Sequence, residues 1–263
     1  DSENIDLIAV TRGPGLMPSL LVGVNFARAL AYKWQKPIIG VNHIEGHIYS
    51  NWLPLVREFP ISNFKFLNKS KIQNSKSRNI EFPNLILIVS GGHTELILMK
   101  GYGKYKIIGE TLDDAAGECF DKTARILGLG FPGGPAIAAL ADKLPSFAPQ
   151  SGASEGKQIK LPRPMINSKD FNFSFSGLKT AVLYSYKGKN KPPHQKLWCG
   201  GKSAMAYEIQ EAIIDVLVAK TLQVIKKFQP KTVMIAGGVA ANKRLRECLA
   251  EKIAPYKITF SLP

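Results

Sequence analysis

Apolar runs of strand length alternate along this chain with helix-period segments, and glycine-rich turns punctuate the joins. That alternation confines the fold to α/β architecture, in which sites collect at the carboxyl ends of strands. Residues 5–11 form a short apolar run ended by Arg12-Gly13-Pro14-Gly15, as expected of a buried strand entering a tight loop. A helix is predicted over 18–35, where Leu21, Val24, Ala27, Ala31 and Trp34 recur at three and four and Pro18 suits the first turn. Residues 37–41 give a second strand, and a helix carrying His43 leaves its end.

Periodicity is lost over 55–83, where Asn, Lys, Ser and Pro accumulate, and a surface insertion is expected there. Two apolar runs, 85–89 and 96–99, flank Ser90-Gly91-Gly92-His93 and predict a β-hairpin, extended by a third strand over 105–109. Residues 114–127 turn helical and stop at Gly128 and Gly130; Pro135 opens a further helix over 136–141. Residues 143–177 read as irregular, 203–228 as a long helix stopped by Pro230, 232–236 as a strand and 240–252 as a helix, with a last strand at 258–260.

His43 and His47 stand four residues apart, which puts two imidazoles on one helix face at metal-ligand spacing; two helix-surface histidines would look the same. A zinc peptidase helix carries glutamate directly after its first histidine, whereas Ile44 holds that place here and Glu45 follows one later. The glycine turns Ser90-Gly91-Gly92, Gly133-Gly134 and Gly237-Gly238 each follow an apolar segment, and exposed amides in such turns make anion sites. They match neither the Walker A nor the G-x-G-x-x-G spacing, which argues against P-loop and dinucleotide-binding Rossmann folds. Asp114, Glu118 and Asp121 fall at i, i+4 and i+7, lining one helix face either as a solvated surface or as a ligand site, with Asp121 able to accept from ribose hydroxyls. Asn242 can cap the helix that it opens or hold a nucleotide.

A formal net charge of +15 favours a polyanionic partner, with nucleic acid the leading candidate, although part of the excess lies in polar stretches such as 68–78 and 187–191. Cys119, Cys199 and Cys248 are far apart and form no C-x-x-C, so reduced thiols are expected and no cysteine zinc site. No run approaches the roughly 20 apolar residues that a spanning helix needs, so no membrane insertion is expected. The chain opens on Asp1 and passes at once into a strand, which leads us to expect preceding residues.

Eight segments, in order, are similar to one family: Gly13-Pro14-Gly15-Leu16, His43-Ile44-Glu45-Gly46-His47, Val89-Ser90-Gly91-Gly92-His93-Thr94, Asp113-Asp114-Ala115-Ala116-Gly117-Glu118, Phe120-Asp121-Lys122, Pro132-Gly133-Gly134-Pro135, Phe173-Ser174-Phe175-Ser176-Gly177-Leu178-Lys179 and Ala236-Gly237-Gly238-Val239-Ala240-Ala241-Asn242. The chain resembles the TsaD-type tRNA threonylcarbamoyladenosine transferases, formerly called O-sialoglycoprotein endopeptidases. Its Lys- and Asn-rich insertions resemble the mitochondrial branch from a fungus.

The resemblance implies an actin-like, sugar-kinase-like ATPase fold with two lobes, 1–110 and 111–263, around a nucleotide cleft. It implies transfer of a threonylcarbamoyl group from threonylcarbamoyl-AMP, supplied by a separate synthase, to the N6 amine of the adenosine beside the tRNA anticodon, with release of AMP. It further implies a mitochondrial matrix homodimer, one divalent cation per subunit (zinc, iron or manganese) held by His43 and His47, a substrate hairpin of Ile88, Val89, Ser90, Gly91 and Gly92, and adenylate contacts from Asp121, Gly134 and Asn242. The family's amino-terminal hairpin and its downstream aspartate ligand have no counterpart in these residues, so the chain is expected to span the middle of a longer member. The rivals are a zinc-dependent glycoprotein endopeptidase, a small-molecule kinase of the same superfamily and a non-enzymatic tRNA or nucleotide scaffold. Neither a nucleophilic triad nor a general base is assigned: Ser176 lacks the G-x-S-x-G elbow.

Overall fold

A computed structural model of the chain describes residues 2–53, 80–143, 160–187 and 201–262. Most of the insertion expected at 55–83 lies outside those residues. The chain divides into two units, 1–78 with 263, and 79–262.

In the first unit, β1 (Ile8–Gly13) pairs in parallel with β2 (Ile38–Asn42), joined by α1 (Met17–Trp34). Parallel neighbours need such a crossover, and Pro18 sits in the first turn of α1, where its missing N–H costs nothing. The helix stops at Gln35, which takes a left-handed conformation with φ 49°. A short α2 (His43–Tyr49) follows β2 directly.

In the second unit, five strands form one mixed sheet in the order β5-β4-β3-β6-β7. The predicted hairpin is β3 (Asn84–Val89) and β4 (Thr94–Gly101), antiparallel, and β5 (Lys104–Glu110) adds antiparallel to β4. On the other side β3 pairs in parallel with β6 (Thr232–Ala236), and β6 in parallel with β7 (Thr259–Ser261). Residues 84–110 therefore share a sheet with residues beyond 230, and the boundary expected at 110 falls instead between 78 and 79. Strand pairing outweighs sequence adjacency here.

The helices of this unit are α3 (Ala116–Ile126), α4 (Gly133–Ala141), α5 (Ser176–Lys187), α6 (Gly201–Phe228) and α7 (Lys243–Ile253). α6 buries residues all round, from Met205 and Ile209 to Val224 and Ile225, as expected of a helix inside a core. Polar side chains along it hold the stretch 160–170. Glu208 accepts from the Leu161 amide at 2.9 Å and pairs with Arg163, which also reaches Asp215 at 2.9 Å. Fully buried Lys220 donates to the Ser168 hydroxyl at 2.6 Å and to the Asp170 carbonyl at 2.7 Å. Gln223 donates to the Ile166 carbonyl at 3.2 Å.

Two expectations change. α3 begins at Ala116, so Asp114 lies before the helix and the carboxylates 114, 118 and 121 do not share one helix face. α5 was not expected over 176–187: its first turn is anchored by a carboxylate distant in sequence. Asp113 accepts from the Phe175 amide at 2.8 Å, the Ser176 amide at 3.3 Å, and both the Ser174 and Ser176 hydroxyls at 2.6 Å.

Candidate functional site

The histidine pair is built from β2 upward. Asn42 ends the strand and caps α2, its Oδ1 accepting from the Ile44 amide at 2.8 Å and the Glu45 amide at 3.3 Å. That cap makes His43 the first helical residue and puts His47 one turn on, with ring centroids 4.5 Å apart at 68°. His43 is exposed and His47 half-buried. Two imidazoles so placed are suitable donors for a borderline divalent cation, as part of a donor set. Among the described residues, no group of three or more His, Cys, Asp and Glu side chains is placed to hold a metal ion.

In the second unit, two of the three predicted glycine turns, Ser90-Gly91-Gly92 and Gly237-Gly238, lie at the carboxyl ends of the paired strands β3 and β6, while Gly133-Gly134 opens α4. The Ser90-Gly91-Gly92-His93 turn is closed by the Ser90 amide to the His93 carbonyl at 2.8 Å and the His93 amide to Ser90 Oγ at 3.0 Å. Ile88 and Val89 are fully buried strand residues, while Gly91 and Gly92 are exposed. Their amides are the accessible part of the predicted hairpin.

Two glycines allow neighbours to close on this turn. A Cβ at Gly117 would lie 2.5 Å from the Ser90 carbonyl oxygen, to which the Gly117 amide donates at 3.2 Å. Gly237, just past β6, has φ +93°, and a Cβ there would lie 2.4 Å from the Val89 carbonyl oxygen. Glycine alone permits both approaches. The α3 N-terminus, the hairpin turn and the Gly237-Gly238 turn thereby form one surface.

Asp121 and Gly134 are linked through α4. The Asp121 Oδ1 accepts from the Gly133 amide at 2.7 Å, so this carboxylate fixes the start of α4 beside half-buried Gly134. Asn242 caps α7, its Oδ1 accepting from the Leu245 amide at 2.9 Å, and its Nδ2 donates to Gln210 Oε1 at 3.0 Å. Capping, one of the two roles open to Asn242, is thus present.

Asp113 and Asp114 border the same surface with separate tasks. Burial raises the Asp113 carboxyl, but its bonds from Ser174, Ser176 and the two amides outweigh that and hold it below the usual carboxylate range. For Asp114, too, burial is outweighed, by Lys122 at 2.8 Å and Lys179 at 3.3 Å. Burial, and then the Asp114 carboxylate, push the Cys119 thiol up to about 12. Buried Cys119 is therefore not activated as a nucleophile.

The sequence did not point to Asp113 as the anchor of α5, to Gln210 behind Asn242, or to Lys220. Their partners lie 63, 32 and 52 residues away, beyond any local spacing rule. For Asp113, the serines of Phe173-Ser174-Phe175-Ser176 were the available signal.

A mixed sheet with glycine turns at the carboxyl ends of β3 and β6, the first leading into β4 and the second toward α7, fits the actin-like, sugar-kinase-like class of α/β folds. HypF structures share that fold: one from T. kodakarensis (TM-score 0.53, 11% identity, 99% of this chain and 38% of that one) and full-length HypF in its phosphate- and nucleotide-bound form (0.55, 11%, 99% and 44%). Within the class, a profile of the tRNA N6-adenosine threonylcarbamoyltransferases matches residues 1–64 and 67–263, and the chain belongs to that family. Relatives named tRNA N6-adenosine threonylcarbamoyltransferase include those of Thermomicrobium roseum, 44% identical over 98% of this chain and 67% of its own length, and Bacillus subtilis, 42% identical over 99% and 65%. That of Burkholderia thailandensis is 46% identical over 94% and 63%. The chain thus spans about two thirds, or slightly less, of these relatives.

Proposed function

We propose that the full-length protein transfers the threonylcarbamoyl group from threonylcarbamoyl-AMP to the N6 amine of the adenosine beside the tRNA anticodon. The observation that carries this reading is family membership over nearly the whole chain. The convergence of Gly91, Gly92, Gly117 and Gly237 at one end of the sheet supports the adenylate side of it. The +15 charge supports a tRNA partner.

The donor is a mixed anhydride and is already activated. The amine nitrogen attacks the carbamoyl carbonyl carbon, the new C–N bond forms, the bond from that carbon to the phosphate oxygen breaks, and AMP leaves with its electron pair; the amine proton passes to solvent. The protein's task is therefore orientation and charge stabilisation. The Gly91 and Gly92 amides face the donor's anionic oxygens, with Ser90 closing the turn and Ile88 and Val89 fixing it from the buried strand. Asp121, Gly134 and Asn242 hold the adenosine moiety. We assign no side chain as general base.

His43 and His47 are the residues that would hold a divalent cation, zinc, iron or manganese, together with donors outside the described residues. Such an ion, when bound, supplies Lewis-acid polarisation. A homodimer in the mitochondrial matrix of a fungus, fed by a separate threonylcarbamoyl-AMP synthase, completes the proposal; the Lys- and Asn-rich stretch 68–78 supports that branch. Ile44, in the place of a peptidase's glutamate, weighs against the endopeptidase alternative.

The test is mass analysis of tRNA nucleosides after incubation with full-length protein and donor. Threonylcarbamoyladenosine forms with the wild type and falls at least about a hundredfold for His43→Ala, the scale of losing one group that stabilises transition-state charge. No product from the wild type sinks the transfer reading. Equal product from wild type, His43→Ala and chelated enzyme sinks the metal assignment alone.

A further inference from the structure

Asn242 cannot orient itself. Its Oδ1 is committed to the Leu245 amide, which leaves Nδ2 to reach a second element. That Nδ2 donates to Gln210 Oε1 at 3.0 Å. Gln210 is itself only 3% exposed, in the middle of the buried helix α6. The cap thus fixes which way the Asn242 amide is turned, and the Asn242 amide fixes which way Gln210 is turned.

Core packing alone does not call for glutamine here. The neighbours of Gln210 on α6, Ile209, Ala212, Ile213 and Ile214, are buried and apolar, and a buried polar group that serves no partner is costly. The Asn242 cap does not need it either, since the Leu245 bond is made by the other end of the amide. What Gln210 adds is a second fixed point on Asn242 from a different helix, which restrains the carboxamide from swinging about the capping bond.

We infer that Gln210 is a positioning residue for adenine-nucleotide binding, holding the Asn242 carboxamide in its ligand-competent orientation from inside the core. The inference rests on the reading of Asn242 as an adenylate contact. Its ligand class is an adenine nucleoside or its monophosphate.

The experiment is calorimetric titration of full-length protein with AMP for wild type, Gln210→Met, Asn242→Ala and the double variant. Gln210→Met is expected to raise Kd about tenfold at unchanged stoichiometry, the scale of one lost hydrogen bond to a ligand-positioning group. Merely structural damage would lower the stoichiometry instead. Asn242→Ala is expected to lose at least as much, and the double variant no more than Asn242→Ala, because one residue acts through the other. Losses that multiply in the double variant, or an unchanged Kd in Gln210→Met while Asn242→Ala is weakened, overturn the inference and leave the Asn242 assignment standing. An Asn242→Ala protein that binds AMP like the wild type overturns both. Should Gln210→Met fail to fold, Gln210→Glu keeps an oxygen facing Nδ2, and adenosine as the probe removes the phosphate from its charge. Adenosine affinity within about threefold of wild type supports the inference, and a tenfold loss overturns it.

Discussion

β2 and β3 carry similar apolar sequences, Ile38-Ile39 and Leu85-Ile86-Leu87, yet their surroundings differ sharply. Every residue of β3 is buried, flanked by β4 and β6 in a five-stranded sheet. Ile38 and Ile39 remain 42% and 48% exposed in a two-stranded sheet, and Phe26 of α1 is 66% exposed. Within the described residues, then, the unit that carries the adenylate-side residues builds its own core, whereas the unit that carries His43 and His47 has only a few buried residues, such as Ala27, Ala31 and Ile48. Apolar sequence sets a capacity for burial; neighbouring strands and helices decide whether it is used.

The contrast breaks most readily in the core. Phe173 is fully buried and stacked on Phe175 with centroids 6.3 Å apart, so Phe173→Ala is expected to lower unfolding stability by about 3–5 kcal/mol in urea titrations. Gly237→Ala follows. A Cβ 2.4 Å from a backbone oxygen, added at φ +93°, is expected to cost roughly 2–4 kcal/mol and to weaken AMP binding, read by thermal melting and calorimetry.

A smaller effect sharpens the electrostatic side. Asp113 is held below the usual carboxylate range by hydrogen bonds that outweigh burial. A depressed folded-state pKa stabilises above the unfolded value, and that contribution disappears as pH falls through the folded one. Asp113→Asn is therefore expected to be about 1 kcal/mol less stable than wild type near neutrality, with the gap closing below about pH 4, measured as urea midpoints across pH. Smallest is Phe26→Ala, expected to change stability by no more than about 0.5 kcal/mol because the side chain is already largely solvated. A loss as large as that of Phe173→Ala would show that Phe26 is covered in solution and would dissolve the contrast between the units.

Much of the fold was legible because burial writes itself as local pattern. The hairpin, its third strand and β6 follow from apolar runs bounded by glycine, and α6 from its period and Pro230. α5 was not legible, since the carboxylate that anchors its first turn is Asp113, on the far side of α3 and α4 in the sequence. Asp114 misled for a related reason: its spacing from Glu118 suits a helix, but the chain turns helical only at Ala116, and Lys122 bridges the two carboxylates at 2.8 Å each. At the candidate site, the histidine spacing and the glycine turns stood out in the sequence, while Gln210 did not. A buried amide inside an apolar helix announces nothing until its partner from another element is known.

The burial of Lys220 gives the chain a reporter of its own motion. With its amine enclosed by Ser168 and Asp170, and burial pulling it toward the neutral form, an acylating reagent meets this lysine only in molecules whose 160–170 stretch has lifted away from α6. The labelling rate at this one site then counts how often that stretch opens.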